Sequence, residues 1–137
     1  MNKAAKEVVR EFYHADILND NSVLNRFFHP EMVLIWNSAD GLTIMNRDDL
    51  VEFFLEIKRT YHDLRIEVSH LLEDDGHVTV RYKYYVKTIE NPDEELGIAH
   101  FIAIWEIKDG KMYRGYQVSQ PVTDKDDTNE SYHKVKV

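Results

Sequence analysis

The stretch LGIAHFIAIWEIKDGKMYRGYQVSQP, Leu96 to Pro121, limits this chain more than any other. Two apolar, aromatic-rich runs flank Asp109-Gly110, a pair that supplies the positive backbone torsions of a type I′ turn, so two strands fold back here as a hairpin. With a two-residue turn, Lys108 pairs with Lys111, Trp105 with Arg114, Ala103 with Tyr116 and Phe101 with Val118. Side chains alternate along a strand, so the last three pairs share one face, and His100, Ile102, Ile104, Gln117 and Ser119 share the other. Both faces carry apolar groups, which predicts a hairpin covered on both sides, at the centre of a sheet.

The rest of the chain supplies partners for it. Ala5, Val8, Val9, Phe12 and Asp16 recur at helical spacing, predicting an amphipathic helix from about Lys3 to Leu18. Asn19 to Ser22 ends that helix and caps a short second one through Phe28, which His29-Pro30 stops. Met32–Trp36 and Leu42–Met45 read as short strands. Asn46 reads as the N-cap of a helix to about Thr60, with Asp48 and Asp49 in its first turn, where acidic side chains suit the helix dipole. Leu64, Ile66, Val68 and Leu72 alternate with Arg65, Glu67 and Ser69. After the turn Asp74-Asp75-Gly76, Val78 to Val86 alternate with Thr79 to Lys87 in a second strong strand. Glu90 to Glu95 is an acidic loop. Helices first, then an antiparallel meander, predict an α+β fold with helices on one face of a strongly curved sheet, a cone with a cavity inside.

One domain over residues 1–122 followed by a polar tail, 123–137, is the expected organisation for 137 residues. A net charge of −8 argues against a sequence-independent phosphate-binding surface, and hence against nucleic acid as a partner. With no cysteine, thiol and disulfide chemistry are excluded. No run is long enough to span a bilayer, and the N-terminus has no continuous apolar region, so the expectation is a soluble cytoplasmic protein without membrane attachment. The seven histidines, at 14, 29, 62, 70, 77, 100 and 133, form no HxH or HExxH pair, and His29-Pro30-Glu31 fits a solvated helix end better than a metal site. No phosphate-binding glycine loop or serine-nucleophile elbow occurs, and no cofactor is expected.

The order of a first helix with EFY, a short second helix ending FFHPEM, a strand VLIW, a helix opening NRDDLVEFF and a final WEIKDGKMY hairpin resembles the NTF2-like superfamily, in its SnoaL-like branch. The likeness runs from about Lys3 to Pro121. It implies a cone-shaped α+β barrel, a pocket lined by the first helices and the concave sheet face, and homodimers through the convex face. The superfamily includes ketosteroid isomerases, polyketide cyclases, dehydratases and non-catalytic binders, so the fold does not choose among them. The isomerases use a tyrosine on the first helix, a protonated acid before a His-Phe pair in a late strand, and an aspartate ending the first strand. Here those positions hold Tyr13 (or His14, if the helix is shifted by one), Ala99 and Trp36-Asn37. Two of the three roles are vacant, which excludes steroid isomerisation by that mechanism.

Asp16 shares a helical side with Phe12 and Val9. Facing the cavity it would be a carboxylate among aromatics, able to act as acid or base with Tyr13 and Tyr82 as donors; the plainer alternative is an Asp bonding neighbouring backbone at a helix end. Asp40 is a loop residue before Gly41. His100 is expected on the convex face. Tyr13, Trp36, Tyr82, Tyr84, Phe101, Trp105 and Tyr116 are the candidate lining of a pocket for a small, flat, apolar or aromatic ligand, with Ala99 and Ala103 leaving room beside Phe101 and Trp105; an ordinary aromatic core is the alternative. Three functions remain open: a ligand binder, a cofactor-independent isomerase, cyclase or dehydratase, and a protein-interaction module in which the cone is filled.

Overall fold

A computed structural model describes residues 4–123; the tail expected beyond them lies outside the described residues. Two helices, α1 (Ala5–Tyr13) and α2 (Val23–Phe27), precede strands β1 (Phe28–Ser38) and β2 (Gly41–Asn46). Helix α3 (Arg47–Thr60) follows, then β3 (Tyr61–Asp74), β4 (His77–Thr88), β5 (Glu95–Lys108) and β6 (Lys111–Pro121). The six strands form one curved, unclosed sheet in the order β2-β1-β6-β5-β4-β3. All neighbours are antiparallel except β1 and β6, which run parallel. Helices α1 and α3 pack on the concave face, α1 against β3, β4 and β6 and α3 against β1, β2 and β3, and their Val8, Val9, Phe12, Leu50 and Phe54 join one core with the inward residues of the sheet.

Local chemistry accounts for the element ends. Asn46 accepts from the Asp49 N–H at 2.8 Å while the Asp49 carboxylate accepts from the Asn46 N–H, a reciprocal cap that starts α3 where its sequence predicts. Asp109 and Gly110 take φ of 54° and 73°, and Asp75 and Gly76 take 52° and 77°, so both predicted tight turns form with two positive-φ residues each. Helix α1 stops at Tyr13, short of the predicted Leu18. The Asp16 carboxylate takes the backbone N–H and side-chain amide of Asn19, at 3.2–3.3 Å, and the segment turns instead of continuing. Ile17 and Leu18 stay buried because that turn folds them back under the helices. Strand β1 begins earlier than predicted, at Phe28, because Pro30 is carried within a strand whose pairing to β6 is irregular between Phe28 and Val33.

Bulges alter which side chains face the core. The β5–β6 register slips between Glu106 and Ile107, where Tyr113 is the extra residue: Ile107 pairs with Met112 but Glu106 with Arg114. Beyond that point Trp105 opposes Gly115, Ala103 opposes Gln117 and Phe101 opposes Ser119, one residue off the simple hairpin pairing. A one-residue slip exchanges faces, so Gln117 is turned inward and Tyr116 outward, the reverse of the sequence expectation. A second bulge at Ser69 does the same in β3, turning Leu71 toward the core and leaving Leu72 exposed.

Gly115 is what lets Trp105 lie where it does. A Cβ on residue 115 would sit 2.5 Å from Trp105 Cζ3, so the bare backbone forms the floor under the indole. Trp105 is in turn fully buried, with its ring 5.5 Å from Phe28.

Candidate functional site

Aromatic rings cluster at the middle of the concave face. Tyr82 and Phe101 lie parallel at 4.8 Å, Tyr84 and Phe101 meet at 4.4 Å, and Tyr13 of α1 leans on Tyr82 at 4.6 Å. Through this box runs a chain of hydrogen bonds. Trp105 Nε1 donates to the Tyr13 hydroxyl at 3.0 Å, the Tyr13 and Tyr82 hydroxyls are bonded to each other, and Tyr82 donates to Gln117 Oε1. With Tyr82 giving its proton to Gln117, its oxygen accepts from Tyr13, whose own oxygen accepts from the indole. Each link polarises the next, and every member is satisfied.

These phenols are held neutral. Burial pushes the Tyr13 hydroxyl up to about 12 against the opposing effect of its bonds to Tyr82 and Trp105, and burial raises Tyr82 and Tyr84 as well. The box therefore offers donors, not bases. At its centre is a cavity of about 20 Å³ lined by Phe12, Tyr13, Phe28, Leu34, Trp36, Leu50, Phe53, Phe54, Tyr82, Tyr84, Trp105 and Gln117. That is room for about one water molecule. Ten of those residues are buried; Trp36 and Phe53 alone are half-exposed, meeting edge to face at 5.2 Å. They form the rim, with Trp36 Nε1 donating to Ser119 Oγ at 2.8 Å.

Of the residues singled out from sequence, Tyr13, Trp36, Tyr82, Tyr84 and Trp105 line this cavity, and Phe101 is stacked directly behind it. Tyr116 does not. It stands on the opposite face, 45% exposed, its hydroxyl donating to Glu106 at 3.3 Å. Asp16 is also elsewhere: it is exposed in the turn after α1, on a surface depression beside Asp63, Arg65 and Lys87, and its carboxylate is engaged with Asn19. The expected carboxylate in the cone is thus absent, because the helix that would have aimed it inward ends three residues earlier. Asp40 lies in the exposed β1–β2 turn, and His100 is on the outer face with Ile102 and Ile104. Gln117 and Ser119 were assigned outward by pairing from the turn; only knowledge of the Tyr113 bulge would have turned them in. Among the described residues no group of His, Asp or Glu could hold a metal ion, and no helix is long and apolar enough to cross a membrane.

Residues 7–115 match the SnoaL-like domain. The chain belongs to the SnoaL-like family. No curated protein matches its sequence. Solved structures with a similar fold include IdmH, a candidate polyketide cyclase from Streptomyces antibioticus, at 13% identity and TM-score 0.70 over 85% of this chain and 92% of that one. AclR, a candidate hydroxylase from Streptomyces galilaeus, is 18% identical with TM-score 0.69 over 84% of this chain and 77% of its own. TerC, crystallised with polyporic acid, is 15% identical with TM-score 0.64 over 97% and 98% of the two chains. At such identities the likeness establishes the fold, NTF2-like α+β, and the SnoaL-like cone described above is this chain's version of it.

Proposed function

We propose that this SnoaL-like protein binds a small, flat, largely apolar ligand in its cone and does no acid–base chemistry on it. One observation carries the reading: among the described residues the lining is an aromatic box crossed by neutral hydrogen-bond donors, with no carboxylate, imidazole or amine on it. A proton shuttle needs a base within reach of the substrate, and Asp16, the acid expected from sequence, is on the surface. Structural neighbours that include a candidate polyketide cyclase, a candidate hydroxylase and TerC, crystallised with polyporic acid, are consistent with a small-molecule cone. The cavity has room for about one water, so a ligand enters only if lining rings are displaced, beginning with the partly exposed pair Trp36 and Phe53.

Thermal unfolding against flat carbonyl compounds tests this. A ligand at one hundred times its dissociation constant adds about 2.7 kcal/mol, which raises the midpoint of a domain of this size by several degrees. Quenching of Trp36 and Trp105 fluorescence by the same compounds reports the cone. No shift and no quenching across steroids, aromatic polyketide-like compounds and fatty acids would refute the reading and favour an interaction module with a filled cone.

A second observation favours self-association. Ile44, Ile35, Tyr116 and Ile104 lie side by side across β2, β1, β6 and β5 on the convex face, with Leu42, Val118 and Ile102 in the adjoining row. Six of these are exposed, from 39% for Ile104 to 63% for Ile44. Contiguous exposed apolar surface of this kind marks an interface. We read it as the contact of a homodimer. Light scattering should give twice the chain mass for the native protein and a monomer for the Ile104→Lys, Val118→Lys double variant; a native monomer at micromolar concentration would refute it.

A further inference from the structure

Helix α1 carries a basic stripe that the cone does not use. Lys6 and Arg10, with His14 at the C-cap, are spaced at i, i+4 and i+8 and share one side of the helix. The Lys6 backbone N–H donates to Glu73 Oε1 at 2.9 Å, while Tyr13 and His14 border one depression with Leu64, Arg65 and Ile66. Helix α1 thus runs antiparallel along β3, the strand at the edge of the sheet. Between them lies an open groove of about 260 Å³, with Lys6, Arg10 and His14 on one wall and Val68, Leu71 and Leu72 on the other. Among the described residues no carboxylate lines it. Glu7 and Glu73 stand beside it and are already engaged, Glu7 by one N–H of Arg10 and Glu73 by the Lys6 backbone. The Lys6 ammonium and the rest of the Arg10 fork have no partner among the described residues. His14 spends only Nδ1, which donates to the Arg10 carbonyl at 2.8 Å, and adds a third charge when protonated. Leu72 opposite is left 56% exposed.

We propose that this groove takes an extended segment of a partner protein in which acidic and apolar residues alternate. An extended chain sends successive side chains to opposite sides, which is what two walls of unlike chemistry require. The spacing agrees as well: bases four residues apart on a helix are separated by about 6 Å, and alternate residues of a strand by about 6.6–6.8 Å. Over three positions the mismatch is about 1 Å, within the reach of long, flexible basic side chains. A fatty carboxylate would offer this wall a single charge for a row of bases. The net charge of −8 repels an acidic segment from the rest of the surface, so charge both attracts it to the groove and sets its register there. The groove is open along its length, so it seats side chains while the partner's backbone lies at its mouth. None of this depends on the cone, and it holds equally with the cone filled.

Fluorescence anisotropy with labelled hexapeptides tests the proposal. One peptide alternates glutamate with leucine, and a second has the same composition with the glutamates first and the leucines after. The native protein should bind the alternating peptide about tenfold tighter than the block peptide, the worth of two or three surface ion pairs. Raising the salt to about 0.5 M should remove most of that preference. The double variant Lys6→Gln, Arg10→Gln should bring the two peptides level. Arg59→Gln, which breaks an i, i+3 ion pair of the same kind on α3, should change nothing. Leu72→Ser tests the apolar wall at an exposed position and should weaken the alternating peptide about threefold. Equal native affinities for the two peptides, a preference that survives the double variant, or no binding at millimolar protein would overturn the proposal. Binding to vesicles of anionic lipid, lost in the double variant and without any peptide preference, would overturn it in favour of a membrane contact. If the double variant unfolds at a lower temperature than the native chain, Leu72→Ser decides, and an unchanged affinity there refutes the groove.

Discussion

Replacing Gly115 by alanine isolates the contact on which the cone's interior depends. The new Cβ would meet three indole carbons of Trp105, Cζ3 at 2.5 Å, Cη2 at 2.6 Å and Cε3 at 2.8 Å. Ordinary contact needs about 3.4 Å or more, so either the indole or strand β6 must move by about 1 Å. The indole is not the free end of a flexible chain: it is buried to 2% exposure, packed on Phe28 and bonded to Tyr13. Overpacking of this kind costs about 1–3 kcal/mol. Pulling Nε1 away from the Tyr13 hydroxyl adds about 1 kcal/mol. Against this, alanine stiffens the unfolded chain and returns about 0.4–1 kcal/mol. The net destabilisation is about 2 kcal/mol, a fall in midpoint of about 6–10 °C for a domain of this size. Differential scanning calorimetry measures the midpoint, and near-ultraviolet circular dichroism reports the indole. A midpoint within a degree of native, with an unaltered tryptophan signal, would show that the indole has slack and that Gly115 is not its floor.

Tyr82→Phe should cost about 1–3 kcal/mol in urea unfolding, because the Gln117 carbonyl and the Tyr13 hydroxyl both lose their buried partner; a loss under a few tenths would mean the chain through the box is not formed. Asn46→Ala removes one half of the α3 cap and should lower stability by about 1 kcal/mol without changing the urea slope, and an unchanged urea midpoint would count against the cap. Tyr13, Tyr82 and Tyr84 have folded-state pKa values above the unfolded phenol value, so their stabilising contribution is full below pH 10 and is lost as pH rises through the folded values. An absorbance titration should accordingly leave three of the eight tyrosines protonated until an alkaline unfolding step, and smooth ionisation of these three near pH 10 would refute it. Glu95 has the opposite sign: hydrogen bonding to Arg65 at 2.8 Å holds its pKa down, so stability falls as pH drops through the acid range, and Arg65→Met should flatten that slope.

The fold was legible where local chemistry decides it. Asn46 with Asp49, the two Asp-Gly turns and the alternation through Val78–Val86 act within a few residues, and each formed where its residues required. The inward phase of Tyr82, Tyr84, Phe101 and Trp105 was legible too, because β4 and β5 alternate without interruption between Val78 and Tyr84 and between Ala99 and Trp105. What could not be read was the phase of β6. Nothing in KMYRGYQVSQP announces that Tyr113 bulges; its ring meets His29 at 4.9 Å, a partner from distant chain, as well as the adjacent Arg114 at 3.9 Å. That single displacement put Gln117 where Tyr116 was expected and so changed the chemistry of the box from a phenol to an amide. For Asp16 the plainer of the two readings holds: its carboxylate takes the Asn19 backbone N–H at the helix end, and helical spacing alone does not decide between that and the cavity.

The position of β6 bears on how the molecule assembles. Without it the strands fall into two separate groups, β2-β1 on one side and β5-β4-β3 on the other, and the two-stranded group is too narrow to be stable alone. The strand that joins them is the last among the described residues, and its parallel partner β1 lies 83 residues upstream at the Trp36–Ser119 bond. Closing so long a loop for one ladder is slow, so folding should be rate-limited by this late join, after the local hairpins have formed. During synthesis the helices and five strands would wait, incomplete, until residues 111–121 clear the ribosome. A chain cut in the Asp109-Gly110 turn should therefore leave neither fragment, 1–109 or 110–137, folded alone, and the two together should recover the fold.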